Sequence, residues 1–122
     1  METTNKQYPK FGHEKFEAYQ ISIQFLAISF KIAKAIPSGN HHLIDQLKRA
    51  TLSISLNIAE GSGKMTDGEK KRFYSIARGS TMECAAILDV LTVMEVISNE
   101  NLYEGKSKLS SIAGILTKIC RN

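Results

Sequence analysis

The chain has 122 residues, of which 43% are hydrophobic and 23% charged, and its formal net charge is +4. No run reaches the roughly 18 uninterrupted apolar residues of a membrane span, and Met1 to Lys10 lacks the apolar region of a secretory signal. We therefore expect one cytoplasmic domain over residues 1–122. The mildly basic balance permits an acidic partner such as nucleic acid without requiring one.

The N-terminal part of the chain predicts a loose arm followed by a helix. Residues 1–12 are polar and irregular. The first helix is predicted from about His13 to Ile36, because two sets of apolar residues recur at steps of three and four. One set is Tyr19, Ile23, Leu26, Phe30 and Ala33; the other is Ile21, Phe25, Ile28 and Ile32. Two such stripes predict contacts with more than one neighbouring helix.

A second helix is predicted from about His41 to Ser62, after a turn at residues 37–40. Its core stripe is Leu43, Leu47, Ala50, Ile54 and Ile58. A second line on one helix face is polar and consists of Gln46, Arg49, Ser53, Asn57 and Glu60. Gly61 and Gly63 are predicted to end the helix.

The third helix is predicted to begin after Met65, where Thr66 and Glu69 have the spacing of a capping box. Its core stripe is Phe73, Ala77, Ser80, Cys84, Ile87, Leu91 and Met94, and a second stripe is Ala86, Val90, Val93 and Ile97. Gly79 lies mid-helix, where glycine costs about 1 kcal/mol relative to alanine. This position therefore predicts a close approach by another backbone.

A fourth helix is predicted after a turn at residues 98–100, with Asn101 as its cap and its end near Cys120. Its stripe is Leu109, Ile112, Leu116 and Ile119. Four helices with short connections predict an all-α, antiparallel up-down-up-down four-helix bundle. Helices 1 and 3 are apolar over more surface than a monomeric bundle needs, which favours self-association.

Known chemical motifs fail when they are tested against this sequence. The segment from Gly61 to Lys64 resembles a phosphate loop, but Ile58 and Met65 occupy positions where the motif needs Gly and Ser or Thr. None of the three histidines has a Glu three residues before it, as a di-metal bundle requires. Cys84 and Cys120 fit reduced core positions. We expect no catalytic residues, no metal site, no cofactor and no enzymatic activity.

The polar line of helix 2 predicts a hydrogen-bonded network with helix 3. Glu60 and Glu83 are spaced as a possible carboxylate pair, yet no nucleophile or metal ligand accompanies them. We expect each carboxylate to satisfy donors between helices, either within the chain or at a subunit interface. The predicted network comprises Gln46, Arg49, Ser53, Asn57, Glu60, Ser80 and Glu83.

Basic residues are concentrated around the start of helix 3. This pattern fits either a solvated helix surface or a phosphate-binding surface. Tyr74 is the aromatic residue considered for base stacking, and no interleaved aromatic platform exists. The candidate nucleic-acid contacts are Lys48, Lys64, Lys70, Lys71, Arg72 and Arg78. Binding through them should be directed to phosphates and sensitive to salt.

Segments of the predicted helices 2 and 3 together resemble one family, the four-helix-bundle proteins encoded in intervening sequences of bacterial 23S ribosomal RNA genes. The resemblance spans about residues 13–121. The residues that carry it are Gln46-Leu47-Lys48-Arg49-Ala50, Ser53, Asn57-Ile58-Ala59-Glu60-Gly61, Phe73, Ala77-Arg78-Gly79-Ser80 and Glu83.

This resemblance implies a homopentameric ring and no established catalytic activity. It also implies kinship to accessory proteins of diversity-generating retroelements, which associate with nucleic acid and a reverse transcriptase. The chain departs from the family pattern at Lys64, where the family usually has Arg. It also departs at Ser38-Gly39-Asn40, where the family usually has Glu.

Two functions follow as hypotheses. The first is a non-enzymatic, homo-oligomeric bundle that binds RNA or DNA through phosphates, with a ribonucleoprotein or a reverse transcriptase as its partner. The alternative is a ring-shaped protein-interaction scaffold that binds no nucleic acid.

Overall fold

The computed structural model describes residues 7–122, which form helices and connecting segments without a strand in that range. A short 3-10 helix, Gly12–Lys15, precedes four α-helices. These are α1 (Glu17–Ala35), α2 (His41–Ser62), α3 (Asp67–Val93) and α4 (Asn99–Arg121). The predicted all-α four-helix bundle is confirmed.

The helices form a square in which each packs against two neighbours. α1 packs along α2 and α4, and α3 packs along the same two helices, whereas the backbones of the diagonal pairs stay more than 8 Å apart between Cα atoms. Along α2 and α3 the bonded pairs run in opposite directions, as Arg49 with Glu83 and Ser62 with Tyr74 show. α3 and α4 are related in the same way. The order is therefore up-down-up-down.

All four helices contribute fully buried apolar side chains to one core. These include Phe25, Ile32, Leu47, Ile54, Ile58, Leu88, Leu91, Ile112 and Leu116. Each such burial stabilises the folded state by about 1.5–3 kcal/mol. The stripes predicted for helices 2 and 4 lie in this core. Among the described residues, no helix combines the length and apolar composition needed to cross a membrane.

The N-terminal part of the bundle differs from the prediction in two ways. α1 begins at Glu17, because Phe16 adopts an extended backbone and its ring packs 5.6 Å from that of Tyr74. Of the two predicted α1 stripes, the one containing Ile23 and Phe30 is largely exposed at those positions, at 40% and 48%. The predicted loose arm falls partly outside the described residues, at 1–6. Residues 7–11 are exposed and lie outside any helix.

Part of the α1 surface that faces the core consists of buried serines, so the apolar stripe alone did not indicate which residues of this helix are buried. The Ser22 hydroxyl donates to the carbonyl of Tyr19 and lies 2.9 Å from the Ser55 hydroxyl of α2. Ser29 is also buried and bonds back to its own helix. Small side chains that satisfy their hydroxyls locally let two helices approach closely without large apolar groups between them.

The connection between α3 and α4 lies earlier than predicted. α3 ends at Val93, and Glu95 takes a left-handed φ of 60° in the turn. Ser98, rather than Asn101, caps α4, and its hydroxyl accepts from the Asn101 N–H at 3.1 Å. At the start of α3, the Thr66 hydroxyl accepts from the Glu69 N–H at 3.2 Å, as the sequence predicts.

Gly61 has a packing role that the sequence did not reveal. It lies within the last turn of α2 and does not end the helix. A Cβ at this position would lie 2.8 Å from Cε1 of Tyr74 and 3.1 Å from Cβ of Phe73. The tyrosine is buried, and its hydroxyl lies 3.1 Å from that of Ser62. The absent side chain therefore lets α3 pack directly on the α2 backbone.

Gly61→Ala should destabilise the bundle, although alanine favours helix. The added methyl must displace the Tyr74 ring, and overpacking of this kind costs about 1–3 kcal/mol. Gly68→Ala is the matched control, because a Cβ there meets nothing within 4 Å. Urea unfolding measures both variants, and a Gly61→Ala protein as stable as the parent would contradict this account.

Candidate nucleic-acid interface

Three of the predicted basic contacts converge where α2 ends and α3 begins. The Lys70 ammonium donates to the carbonyl of Ser62 at 3.1 Å. The Lys64 ammonium and the Arg72 guanidinium lie 4.9 Å and 4.7 Å from the centre of the Phe73 ring. We call Lys64, Lys70, Arg72 and Phe73 the basic corner. Its cations are held by local contacts instead of extending freely into solvent.

The two aromatic residues at this corner, Phe73 and Tyr74, have the opposite burial from the one predicted from the sequence. Tyr74, considered for base stacking, is buried at 8% exposure, and Phe73, assigned to the core stripe, is half-buried beneath two cations. Successive helical residues point about 100° apart, so only one of two adjacent aromatics can enter the core. Cation–π contacts of this type contribute about 0.5–1 kcal/mol at exposed sites.

Lys71 and Arg78 face the neighbouring helix α4. The Lys71 ammonium donates to the backbone oxygen of Asn122, and Arg78 Nε donates to Oγ1 of Thr117. Lys118 and Arg121 line the same groove as Arg78 and were missed by the sequence analysis. The sequence feature that could have identified them is their position as two basic residues in the last turn of a helix that runs antiparallel to α3.

Lys48 stands apart from the other candidates. It is exposed on α2, 14 residues before the end of the helix at Ser62, which corresponds to about 21 Å along the helix axis at 1.5 Å per residue. The six predicted contacts thus divide into the basic corner, the α4-facing pair and one isolated lysine.

Few of these cations are in direct contact with a carboxylate of the described residues. Among residues 7–122, the ion pairs are Arg49 with Glu83, Lys64 with Glu60, and Lys106 with Asp89. Of the six candidates, only Lys64 therefore has an acidic partner in that range, at 3.6 Å. Unpaired cations grouped at one end of a bundle raise the local potential and attract polyanions.

The predicted polar residues form two hydrogen-bonded groups in the outer groove between α2 and α3. One carboxylate oxygen of Glu83 accepts from Gln46 at 3.2 Å and from Arg49 at 3.0 Å. Ser53 and Ser80 lie 2.7 Å apart, and the Asn57 amide donates to the Ser53 hydroxyl at 3.0 Å. The Arg49 side chain is 63% exposed, so the groove opens to solvent.

Within the described chain Glu60 does not join these groups, and its expected role at a subunit interface stays a prediction. Its side chain is 56% exposed and pairs with Lys64, one helical turn further along the chain. Glu60 and Glu83 thus serve different cations and do not form a carboxylate pair.

The described residues hold no group of His, Cys, Asp and Glu side chains placed to bind a metal ion. Both cysteines are free thiols. Burial raises the pKa of the Cys84 thiol to about 11, and the thiolate is the nucleophilic form. Cys84 is therefore a core residue with little nucleophilic character near neutral pH.

Together these features define a small antiparallel four-helix bundle with lysines and arginines grouped at one end. A family model described as the 23S rRNA-intervening sequence protein matches residues 14–118. The chain therefore belongs to the 23S rRNA-intervening sequence protein family.

A solved structure from Bacteroides thetaiotaomicron shares this fold. It is described as a protein with unknown function from the S23 ribosomal protein family. It is 20% identical, aligns with a TM-score of 0.78, and covers 86% of this chain and 99% of its own. No curated protein sequence matches the chain.

Replacing Glu83 should cost more stability than replacing Glu60. Glu83→Ala removes the acceptor shared by Gln46 and Arg49, and a loss of about 1 kcal/mol is expected for bonds this exposed. Glu60→Ala removes the same charge, but its lone exposed pair should cost at most about 0.5 kcal/mol. Thermal and urea unfolding provide the comparison. Equal losses would show that the groove network does not stabilise the fold.

Proposed function

We propose that this protein is a non-enzymatic, homo-oligomeric bundle that binds nucleic acid through its phosphates, in company with a ribonucleoprotein or a reverse transcriptase. The observation that supports it is the basic corner, where Lys70 and Arg72 have no carboxylate partner among the described residues. A nearby second group, formed by Lys71 and Arg78 with α4, extends the positive surface.

The chemistry of the basic corner favours phosphates over bases as ligands. Phe73 already has cations against its ring, and Tyr74 is buried, so neither provides a free surface on which a base can stack. Lysine and arginine instead contact the sugar–phosphate backbone, which carries no sequence information directly. Such binding tolerates many sequences, and its affinity falls steeply as salt is added.

Charge reversal at the corner tests this proposal. The double variant Lys70→Glu, Arg72→Glu should reduce affinity for a labelled structured RNA by at least about tenfold at low salt, since each lost phosphate contact also removes counterion release. Fluorescence anisotropy at low and near-physiological salt measures the affinity and its salt slope, with duplex DNA in parallel.

Lys31→Glu, Lys34→Glu is the matched control. Both lysines are exposed on α1, near the opposite end of the bundle, and the change in net charge is identical. A comparable loss of RNA affinity in both double variants would show that the effect comes from the overall charge and not from the basic corner. No binding of the parent protein at low salt would overturn the proposal.

Self-association is supported by an exposed line on α3. Ile76, Val90 and Val93 are 42%, 47% and 82% exposed. We use the name α3 seam for the line that consists of Ile76, Gly79, Glu83, Ala86, Val90 and Val93. Their spacing of three and four residues is that of helices that pair along a common axis. A Cβ at Gly79 would meet nothing within 4 Å, so no part of the described chain explains the glycine.

Pairing along this seam would bury the apolar residues beside the Glu83 network. The family resemblance implies a pentameric ring, and we propose that assembly for this chain. In a ring the basic corner repeats, so individually weak phosphate contacts add through multivalency.

Lysine substitutions on the seam test its role. Ala86→Lys, Val90→Lys should lower the sedimentation coefficient towards that of the 13.5 kDa chain, because buried unpaired charges oppose association. Leu52→Lys, Leu56→Lys is the control, since both leucines are exposed on α2 at 44% and 63%. Assembly that survives the α3 change, or that is lost equally in the control, would contradict a seam interface.

The second candidate is a protein-interaction scaffold without nucleic-acid binding. The exposed apolar positions of α1 and α2 favour it, because such side chains mark contact surfaces when they are grouped. Reversal of Lys70 and Arg72 distinguishes the two functions. It should abolish RNA binding under the first and leave partner binding intact under the second.

A further inference from the structure

A groove between α3 and α4 carries cations that the basic corner does not include. Its volume is about 460 Å³, and it is lined in part by Arg78, Thr117, Lys118 and Arg121. An adjoining concavity of about 230 Å³ shares Arg78, Thr117 and Arg121 and is also lined by Ser75 and Cys120. The two concavities therefore meet along Arg78, Thr117 and Arg121.

The charged side chains that line this groove are all positive. Neither concavity includes an aspartate or a glutamate. Arg78, Lys118 and Arg121 also take no part in the ion pairs found within residues 7–122. Three cations of like sign around one groove repel each other, and an anion between them relieves that repulsion.

Arg78 is held in an orientation suited to a ligand. It is half-buried, and its Nε donates to Oγ1 of Thr117 on the facing helix. Among the described residues its two Nη groups donate to no acceptor within hydrogen-bonding distance. The guanidinium is thus fixed along one edge, and the planar fork formed by its other nitrogens matches two oxygens of a phosphate.

The remaining lining suits a compact tetrahedral anion. Thr117 accepts from Arg78, which leaves its own hydroxyl hydrogen available for an anion oxygen. Gly114 leaves the α4 side open, since a Cβ there would meet nothing within 4 Å. Hydroxyl donors beside an arginine fork are the groups that commonly bind phosphate oxygens.

We propose that the groove between α3 and α4 is a phosphate-binding site, in which Arg78 takes two phosphate oxygens and Lys118 and Arg121 supply the surrounding positive charge. The site deepens the proposed function and rests on it for one source of ligand, the backbone phosphate of a nucleic acid. The other source is a free phosphate or phosphomonoester, which offers the same oxygens.

Nuclear magnetic resonance of the isotope-labelled protein tests the site directly. Titration with inorganic pyrophosphate, at constant ionic strength set by chloride, should shift the Arg78 Nε–H signal and the amides of Ala113 and Gly114. Arg78→Gln should weaken pyrophosphate binding by about tenfold or more, and Arg78→Lys by a smaller factor, because lysine keeps the charge and loses the fork.

Two further variants test the same site if Arg78→Gln fails to fold. Lys118→Gln and Arg121→Gln alter exposed side chains, and each should weaken pyrophosphate binding by about threefold as one nearby charge is lost. Lys31→Gln, which removes one charge near the opposite end of the bundle, is the control and should leave pyrophosphate binding unchanged. No shift in the groove, or an equal effect of Lys31→Gln, overturns the proposed site.

A short single-stranded RNA separates the two sources of phosphate. If RNA shifts the signals of the groove residues and Arg78→Gln weakens RNA binding, the site binds the phosphates of a nucleic acid. If pyrophosphate shifts the groove and RNA binds nowhere, the site stands as one for free phosphate, and the nucleic-acid function fails. If RNA binding depends only on Lys70 and Arg72 and the groove stays silent, the groove proposal fails and the proposed function stands.

Discussion

Tyr74 packs against the bare backbone of Gly61, and this contact sets how closely α3 approaches the end of α2. The approach leaves no room for a Cβ, since one would lie 2.8 Å from the ring. It places Lys70 within bonding distance of the Ser62 carbonyl. It also turns Phe73 outward, where Lys64 and Arg72 lie against its ring. The arrangement of cations is therefore a product of core packing.

The same pair of helices carries a second constraint, which is polar and open to water. Glu83 gathers two donors from α2, and Ser80 pairs with Ser53 one turn away. Exposed pairs of this kind add little to the free energy of folding. Their geometry nevertheless fixes the register of α3 on α2, because a shift of one turn would leave the donors of Gln46 and Arg49 without their shared acceptor.

Local patterns explain what the sequence could predict, and contacts between helices explain the rest. The bounds of α2 and the Thr66 cap depend on residues within one or two helical turns, so the local sequence predicts them. Nothing near Phe16 signals a helix break, because its extended backbone accompanies a distant ring contact. The choice between Phe73 and Tyr74 as the buried aromatic depends on packing against α2. Lys118 joins the candidate site only through the register between helices.

The up-down order also determines where charge lies along the length of the molecule. The α2–α3 connection with its lysines and arginines is at one end, and the α3–α4 connection is at the other. The latter end carries the exposed acidic residues Glu95, Glu100 and Glu104. Although Lys31 and Lys34 lie near that same end, the charge of the described residues is more positive at the other end, which gives the bundle an electric dipole along its axis. In the field of a polyanion it experiences a torque that turns the basic end forward before contact, so that encounters begin end-on.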